Sequence, residues 1–370
     1  MAVHRIALDG MGGDHAPGVV VDGAVQAAND FDLEIVLVGQ EQALKRELAR
    51  HKVTGGRLSI HHASQVVEMG ESPVQAIKKK KDSSISVCID LLKQKAVDAV
   101  VTAGNTGAAV AASTLNLGLL PGIKRPGIII SLPTLRGISL AIDVGANIDP
   151  TPEHLVQYAL MADIYSRTIY KKRHPTIGLL NIGEEESKGT DLMKDTYKLL
   201  RESGFNFIGN IEGRDFFTGK CDCIICDGFV GNVALKLIEG IIESMAGLIQ
   251  KELSKNYLAQ IGAFLCKPAL MSVRRETNYE EAGGAQLLGI NGVVIISHGA
   301  SSSLAIRNAV KKAAQVVELD INGYIVTEVT QRERTRANSL GLADNMPNSL
   351  SRSLREEDQP QGGSPFGHKK

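Results

Sequence analysis

The residues of this chain best able to do polar chemistry lie in glycine-containing turns, each directly after a short apolar run. The five most informative turns span residues 8–17, 101–109, 180–191, 226–234 and 296–302. Glycine lets the backbone approach a ligand closely, and the amide groups at the start of a helix bind anions. Turns of this kind are typical of sites for small anions.

The turn at residues 180–191 contains the strongest candidate for phosphate binding. Lys188 lies between Ser187 and the pair Gly189 and Thr190, where a strand gives way to a helix. The lysine ammonium would stand beside free backbone amides, an arrangement that suits phosphate. The three glutamates next to it also fit a simple solvated loop.

Asparagine occurs at two further helix starts. Asn232 is able to donate its side-chain amide to a developing oxyanion, but an ordinary N-cap is the commoner role of such a residue. Asn105 and Thr106 likewise suit either anion binding or capping of the helix that follows.

The first turn contains Asp9, Gly12 and Gly13. Its spacing differs from the dinucleotide-binding fingerprint, and the Gly-Lys-Ser/Thr of a P-loop does not follow. A tight structural turn and an anion cradle are about equally consistent with these residues.

The last turn places His298 among serines, as a nucleophile and its base would be. The Gly-x-Ser-x-Gly pattern is absent, however, and Ser297 and His298 would point to opposite sides of an extended segment. Ligand binding or helix capping is therefore favoured for His298 over a catalytic triad.

Three cysteines, Cys221, Cys223 and Cys226, are close enough in sequence to suggest a metal site. On a strand, Cys221 and Cys223 would face one way and Cys226 the other. A tetrahedral zinc would also need a fourth ligand. We expect packing cysteines and no metal.

The elements that must position these turns alternate between short β-branched runs and longer helix-like segments. The runs include residues 6–8, 34–38, 98–101, 127–130, 177–180, 205–208, 223–225 and 292–296. This alternation predicts an α/β fold with a mainly parallel sheet and flanking helices. In such sheets ligands bind beyond the carboxyl ends of the strands, where the turns meet.

Two segments depart from the alternation. Apolar residues recur at helical spacing over residues 235–265 and Pro268 ends the run, which predicts one long helix or a helical pair near 230–270. From Arg332 onward the chain is polar. We therefore expect a folded domain at 1–331 and a disordered tail at 332–370.

Composition excludes several classes of protein. Lys and Arg together number 41, as do Asp and Glu, so no global charge attracts nucleic acid. The chain has neither a secretory signal pattern nor the ~20 apolar residues of a membrane span. Five cysteines in 370 residues do not make a disulfide framework. These features predict a cytoplasmic enzyme.

The order of the motifs is more specific than any single turn. Residues 9–17, 69–76, 103–108, 143–147, 181–189, 209–213, 227–232 and 297–300 together closely resemble the acyl-carrier-protein:phosphate acyltransferase family of bacterial phospholipid synthesis. The resemblance runs from about Arg5 to about Ala314. One departure is Thr102, where the family usually has serine, so a hydroxyl is retained.

The resemblance implies the transfer of a long-chain acyl group from acyl carrier protein to inorganic phosphate. A membrane acyltransferase then uses the acyl phosphate to acylate glycerol 3-phosphate. The implied fold is like that of isocitrate and isopropylmalate dehydrogenases and of phosphotransacylases, usually as a homodimer, and it requires no metal or nicotinamide cofactor. A short-chain phosphotransacylase that uses acyl-CoA and a non-catalytic scaffold that binds the carrier protein are the alternatives.

The mechanism expected from the resemblance is direct attack of phosphate on the thioester carbonyl. Lys188 is the first choice for binding phosphate and Asn232 for polarising the carbonyl oxygen. The other residues expected to bind substrate are Asp9, Gly12, Gly13, Asn105, Thr106, Ser187, Gly189, Thr190 and His298. A covalent route through serine or cysteine has no motif in its favour.

Acyl carrier proteins are acidic, so we expect a basic patch near the mouth of the site. The candidates are the run at residues 78–81 and the pair Arg274 and Arg275, although a lysine run is usually only a solvated face. The apolar stripe at 235–265 would by default pack in the core. A dimer interface, an acyl-chain groove and peripheral contact with the bilayer are its alternatives.

Overall fold

The computed structural model describes residues 3–55, 57–277 and 283–339. Its strands are β1 (Arg5–Asp9), β2 (Glu34–Gly39), β3 (Arg57–His62), β4 (Ala99–Thr102), β5 (Gly127–Thr134), β6 (Gly137–Ile142), β7 (Ile177–Leu180), β8 (Phe207–Ile211), β9 (Cys223–Ile225), β10 (Ala285–Leu288) and β11 (Val293–Ile296). Its helices are α1 (Gly18–Asp30), α2 (Glu41–Leu48), α3 (Pro73–Lys79), α4 (Ser84–Lys93), α5 (Thr106–Ala112), α6 (Pro152–Ile169), α7 (Asp191–Glu202), α8 (Gly228–Leu253), α9 (Tyr257–Thr277), α10 (Ser303–Glu318) and α11 (Ile321–Ser339).

All of these strands form one sheet in the order β3-β2-β1-β4-β11-β10-β5-β6-β9-β7-β8. The strands from β3 to β11 in this order are parallel to one another, as are those from β6 to β8. Between the two blocks, β10 is antiparallel to both neighbours and β5 is antiparallel to β6. The blocks therefore run in opposite directions, and their carboxyl ends lie at opposite edges of the sheet.

The predicted α/β class with a mainly parallel sheet and flanking helices is confirmed. Each of the eight predicted runs contains or overlaps a strand, whereas β3, β6 and β10 were not predicted. β3 is an edge strand with mostly exposed, polar side chains, so it lacks an apolar run. β10 carries the buried amide of Gln286 in place of an apolar residue.

Strand alternation builds a core on both faces of the sheet. Ile6 and Leu8 of β1 pack with α1 and α10 in one cluster, whereas Ala7 between them joins the cluster on the other face. Full burial of each such leucine or isoleucine contributes about 1.5–3 kcal/mol. The strand ends that carry the polar turns are therefore held in fixed positions.

The predicted helical segment near 230–270 is a pair of helices, α8 and α9. Pro268 lies inside α9, so the prediction that it ends the run is wrong. Most of the stripe is not core: only Leu235 and Ile238 pack against the core, while Leu258 is 82% exposed and Phe264 is 76% exposed. No helix in the described ranges is both long enough and apolar enough to span a bilayer.

The chain divides into two compact units, Met1–Ile325 and Val326–Lys370. α11 continues to Ser339, so residues 332–339 are helical where disorder was predicted. Residues 340–370 lie outside the described ranges, and the division at 331/332 stays a prediction.

The three neighbouring cysteines are buried, as expected for packing residues. The expected facing is wrong: Cys221 and Cys226 join one core cluster, while Cys223 contacts Ser166 on α6. The strand begins only at Cys223, so alternation does not extend back to Cys221. Burial raises the pKa of the Cys221 thiol to about 12.

Candidate functional site

A cavity of about 170 Å³ lies beneath α8. Its polar lining comes from the starts of α5 and α8, from β5 and from the turn after β11, and consists of Thr106, Ser131, Asn232, Lys236, Glu239, Ser297 and His298. Its apolar lining comes mainly from β5 and its neighbours: Ile128, Ile130, Leu132, Val144, Leu235, Ala285 and Ile296. The cavity, called the α8 cavity below, thus joins a hydrophobic wall to a polar end.

Helical spacing places the polar residues of α8 on one face. Lys236 follows Asn232 by four residues and precedes Glu239 by three, so the three side chains stand over one another. The N-cap of α8 is Asp227, whose Oδ1 accepts from the amides of Phe229 and Val230 at 3.0 and 2.9 Å. Asn232 therefore does not have the capping role that was its alternative.

His298 meets α8 at the polar end of the α8 cavity. Lys236 Nζ lies 2.7 Å from His298 Nε2 and 2.9 Å from Glu239 Oε2. The amide of Ala300 donates to His298 Nδ1 at 3.2 Å. A lysine ammonium has only donors, and a neutral imidazole has only one acceptor nitrogen. The ring cannot accept from both at once, and the Glu239 carboxylate is the oxygen acceptor that Lys236 has here.

Asn105 and Thr106 have separate roles at the start of α5. Asn105 is the N-cap, since its Oδ1 accepts from the amide of Ala108 at 2.9 Å, and its Nδ2 donates to the carbonyl of Met69 at 2.9 Å. The capping interpretation therefore holds for Asn105. Thr106 is exposed and lines the α8 cavity.

Asp9 is buried at the centre of a second polar cluster. Its Oδ2 accepts from the Thr102 hydroxyl at 2.8 Å, and its Oδ1 accepts from the amide of Met11 at 3.2 Å. Thr102 in turn accepts from the amide of Gly104 at 3.0 Å. Burial raises the pKa of the Asp9 carboxyl, while hydrogen bonds from Ser84 and Thr102 oppose the shift. The hydroxyl of Thr102 therefore links Asp9 to the backbone of Gly104.

The glycines of the first turn are needed for close packing. A Cβ on Gly12 would lie 2.7 Å from both Asp9 Oδ2 and the Gly104 nitrogen. Gly13 has a φ of +115°, and the amide of the next residue, Asp14, donates to the carbonyl of Gly299 at 2.8 Å. These residues join the turns after β1, β4 and β11, and Asp9 and Gly12 line a small space of about 10 Å³ outside the α8 cavity.

The predicted phosphate turn lies elsewhere on the molecule. Ser187, Lys188 and Thr190 are exposed, and none of them lines the α8 cavity. Thr190 caps α7 by accepting from the amide of Met193 at 3.4 Å, and Gly189 has a φ of +87° beside Asn181. This turn follows β7, whose carboxyl end is at the opposite edge of the sheet from those of β4 and β11.

The structure thus brings together Thr106, Asn232 and His298 from the predicted set, and it leaves Lys188 apart from them. Lys236 and Glu239 were missed by sequence reasoning. The available signal was the four-residue spacing from Asn232 on a helix, which places a lysine on the same face.

No group of three or more His, Cys, Asp or Glu side chains in the described ranges is arranged to hold a metal ion. The side chains of Arg274 and Arg275 lie outside what the structure describes. The lysine run at 78–81 begins in the last turn of α3, and Lys80 pairs with Glu71 at 2.7 Å.

Residues 4–323 match the model of a protein family described as fatty acid synthesis protein. The chain is 49% identical over 322 residues to a phosphate acyltransferase of Desulfitobacterium hafniense (strain DSM 10664 / DCB-2), covering 87% of this chain and 95% of that one. It is 47% identical over 324 residues to a phosphate acyltransferase of Dictyoglomus turgidum (strain DSM 6724 / Z-1310), covering 87% and 96%.

The chain belongs to this family. The resemblance drawn from its motifs is therefore confirmed, and the family's enzymes are transferases named for acyl transfer to phosphate.

Solved structures show the same fold at low sequence identity. A phosphotransacetylase from Streptococcus pyogenes superposes with a TM-score of 0.55 at 17% identity, covering 85% of this chain and 94% of that one. A phosphotransacetylase from Staphylococcus aureus gives 0.53 at 13% identity, covering 86% and 94%. The predicted phosphotransacylase-like fold is confirmed by this likeness.

Proposed function

We propose that the protein transfers a fatty acyl group from the thioester of acyl carrier protein to inorganic phosphate, giving acyl phosphate. The observation that carries this proposal is the α8 cavity, in which an apolar wall adjoins Lys236 and His298. An acyl chain needs the wall, and phosphate needs cationic and neutral donors. The names of the relatives support the same reaction.

Phosphate is proposed to bind between Lys236 and His298. A phosphate oxygen there would accept from the lysine ammonium and from the Nε2–H of a neutral imidazole, while His298 Nδ1 keeps its bond from Ala300. The competing proposal places phosphate at Lys188, beside the start of α7. Both lysines are exposed, but of the two only Lys236 lines the α8 cavity beside its apolar wall.

The chemical step needs no covalent intermediate with the protein. An oxygen of hydrogen phosphate attacks the thioester carbonyl carbon, a C–O bond forms and the carbonyl becomes an oxyanion. The C–S bond then breaks, and the proton that hydrogen phosphate carried ends on the sulfur of the departing thiol. Asn232, at the same cavity, is proposed to donate its amide to the oxyanion. The protein contributes mainly orientation and charge stabilisation.

The apolar wall is proposed to hold the carbons next to the carbonyl. Ile128, Ile130 and Leu132 from β5 face Leu235 of α8 across the cavity. Burial of apolar carbon stabilises the complex by about 0.8 kcal/mol per methylene, which favours a fatty acyl group over acetyl.

The carrier protein is proposed to dock near residues 78–81. Pro73, at the start of α3, packs against Gly107, one residue beyond Thr106 of the α8 cavity. Lys78, Lys79 and Lys81 are exposed at the other end of the same segment. A cationic surface beside the cavity mouth would steer an acidic partner.

The exposed apolar side chains of α8 and α9 are proposed to be covered by a second copy of the chain in a homodimer. Contiguous exposed apolar surface of this kind marks an interaction site. Peripheral contact with the cytoplasmic face of the membrane, where an acyltransferase for glycerol 3-phosphate would consume the product, is the second proposal for this face. Light scattering and vesicle flotation separate the two.

Trapping acyl phosphate with hydroxylamine tests the proposed reaction. Purified protein with phosphate and palmitoyl-carrier protein should give hydroxamate, and omission of phosphate should abolish it. Product from acetyl-CoA alone would replace this function with that of a short-chain phosphotransacylase. Carrier binding without phosphate-dependent loss of the thioester would indicate a scaffold.

A further inference from the structure

Ser297, directly after β11, has a buried hydroxyl that finds no hydrogen-bond partner among the described residues. The residue is 5% exposed, and its Oγ forms no hydrogen bond with any residue that the structure describes. Its backbone is fixed, because its amide donates to the carbonyl of Thr102 at 2.8 Å. A buried hydroxyl left without a partner destabilises the folded protein. This destabilisation is removed when a ligand supplies an acceptor.

Ser297 lines the α8 cavity together with Asn232 and His298. A Cβ on Gly284 would lie 3.0 Å from Ser297 Oγ, so the absent side chain leaves room there. The carbonyl of Gly284 already accepts from Lys312 Nζ at 2.7 Å. The remaining nearby lining is apolar and includes Ala285 and Ile296.

We propose that the Ser297 hydroxyl donates a hydrogen bond to the carbonyl oxygen of the acyl thioester and to the oxyanion that forms from it. This inference rests on the proposed function and adds a second donor beside Asn232. The carbonyl oxygen is the polar atom of an acyl group that must enter the apolar part of the cavity. Phosphate, in contrast, is matched by Lys236 and His298 at the polar end.

Ser297 acts as a donor and not as a nucleophile. A serine nucleophile needs a base that accepts its proton, and no hydrogen bond joins Ser297 Oγ to a base within the described residues. As a donor it keeps its proton throughout: phosphate oxygen forms the new C–O bond, the oxyanion accepts from Ser297 and collapses, and sulfur leaves with the proton from hydrogen phosphate.

Ser301 provides a matched control. It is 4% exposed, its Oγ likewise has no partner among the described residues, and it does not line the α8 cavity. Both serines lose an unsatisfied hydroxyl on substitution by alanine. Only Ser297 loses a contact with the acyl group.

Steady-state acyl phosphate formation should distinguish these variants. Ser297→Ala should lower kcat by about 10²-fold with little change in the KM for phosphate, as the loss of one oxyanion donor does elsewhere. Ser297→Cys, with a weak donor, should fall between wild type and Ser297→Ala. Ser301→Ala should match wild type. Neither alanine variant should melt below wild type, because neither hydroxyl has a partner to lose among the described residues.

Wild-type turnover in Ser297→Ala would overturn the inference while leaving the proposed function intact. An equal loss in Ser301→Ala would also overturn it, since the effect would not be specific to the cavity. Incubation with palmitoyl-carrier protein without phosphate should leave the intact mass unchanged, and an acyl adduct on Ser297 would replace the donor role with a nucleophilic one. Failure of the wild-type protein to make acyl phosphate would instead contradict the proposed function.

Discussion

The α8 cavity and the turn at residues 187–190 have similar local sequences but different surroundings. Both combine a lysine, a capping residue and the start of a helix after a strand. In the α8 cavity, Lys236 lies next to both His298 and Glu239, beside a buried apolar wall. At the other turn, Thr190 completes the cap of α7 and Lys188 is exposed to water.

Whether a helix start becomes a binding site depends on the residues that the fold places next to it. Near the turn at 187–190, Glu184 pairs with Lys220 at 2.7 Å and Glu186 pairs with Arg201 at 3.0 Å. Exposed pairs of this kind contribute about 0–1 kcal/mol each. Lys236 is exposed as well, so what distinguishes it from Lys188 is its position next to His298 and the apolar wall of the α8 cavity.

Among the variants that compare the α8 cavity with the turn at residues 187–190, Asn232→Ala should lower turnover most. Loss of its amide should reduce kcat by about 10²-fold, because one oxyanion donor is worth about that factor. The neighbouring Val233→Ala, which is exposed and does not line the cavity, should retain wild-type turnover. Equal activity of the two variants in the hydroxylamine assay would remove Asn232 from the chemistry.

Charge reversal at Lys78, Lys79 and Lys81 should have an intermediate effect. The three glutamates should lower kcat/KM for the carrier protein by about tenfold at low salt, and the difference should shrink as salt screens the attraction. The same reversal on α7, at Lys194, Lys198 and Arg201, is the control and should change little. A larger loss for the α7 variant would place the docking surface beside the turn at 187–190 instead.

Capping variants should give the smallest effect and separate stability from catalysis. Thr190 caps α7 and Ser302 caps α10, and each accepts a backbone amide of its helix. Alanine at either position should lower the free energy of unfolding by about 1 kcal/mol in denaturant titrations. Only Ser302→Ala should also reduce turnover, because its helix begins five residues after His298. Reduced turnover in Thr190→Ala alone would contradict this assignment.

Sequence reasoning reached the fold through local signals. β-branched runs marked eight strands, because each places alternate side chains in a core. It missed β10, whose Gln286 is polar yet buried, and it could not detect that the sheet changes direction at β10 and β5. No local pattern records strand direction, so the turns were expected to meet at one edge.

The same limit applies to the site. Turn chemistry identified Asn232, Thr106 and His298 one at a time. That they line one cavity depends on how α8 packs beside the turn after β11. Lys236 lacks a glycine-rich context, so it resembles an ordinary exposed lysine of a helix. Ser297 was set aside as a triad member, and its interest comes from burial without a partner, which sequence does not reveal.

The most direct test of the central claim, that phosphate is acylated in the α8 cavity, is the phosphate dependence of acyl phosphate formation by Lys236→Ala and Lys188→Ala. Lys236→Ala should lower kcat/KM for phosphate by about 10- to 100-fold, as loss of a hydrogen bond from a charged group does. Lys188→Ala should stay within about fivefold of wild type, because Lys188 does not line the α8 cavity. The reverse result, a severe loss in Lys188→Ala with near-normal Lys236→Ala, would contradict the account and place phosphate at the start of α7.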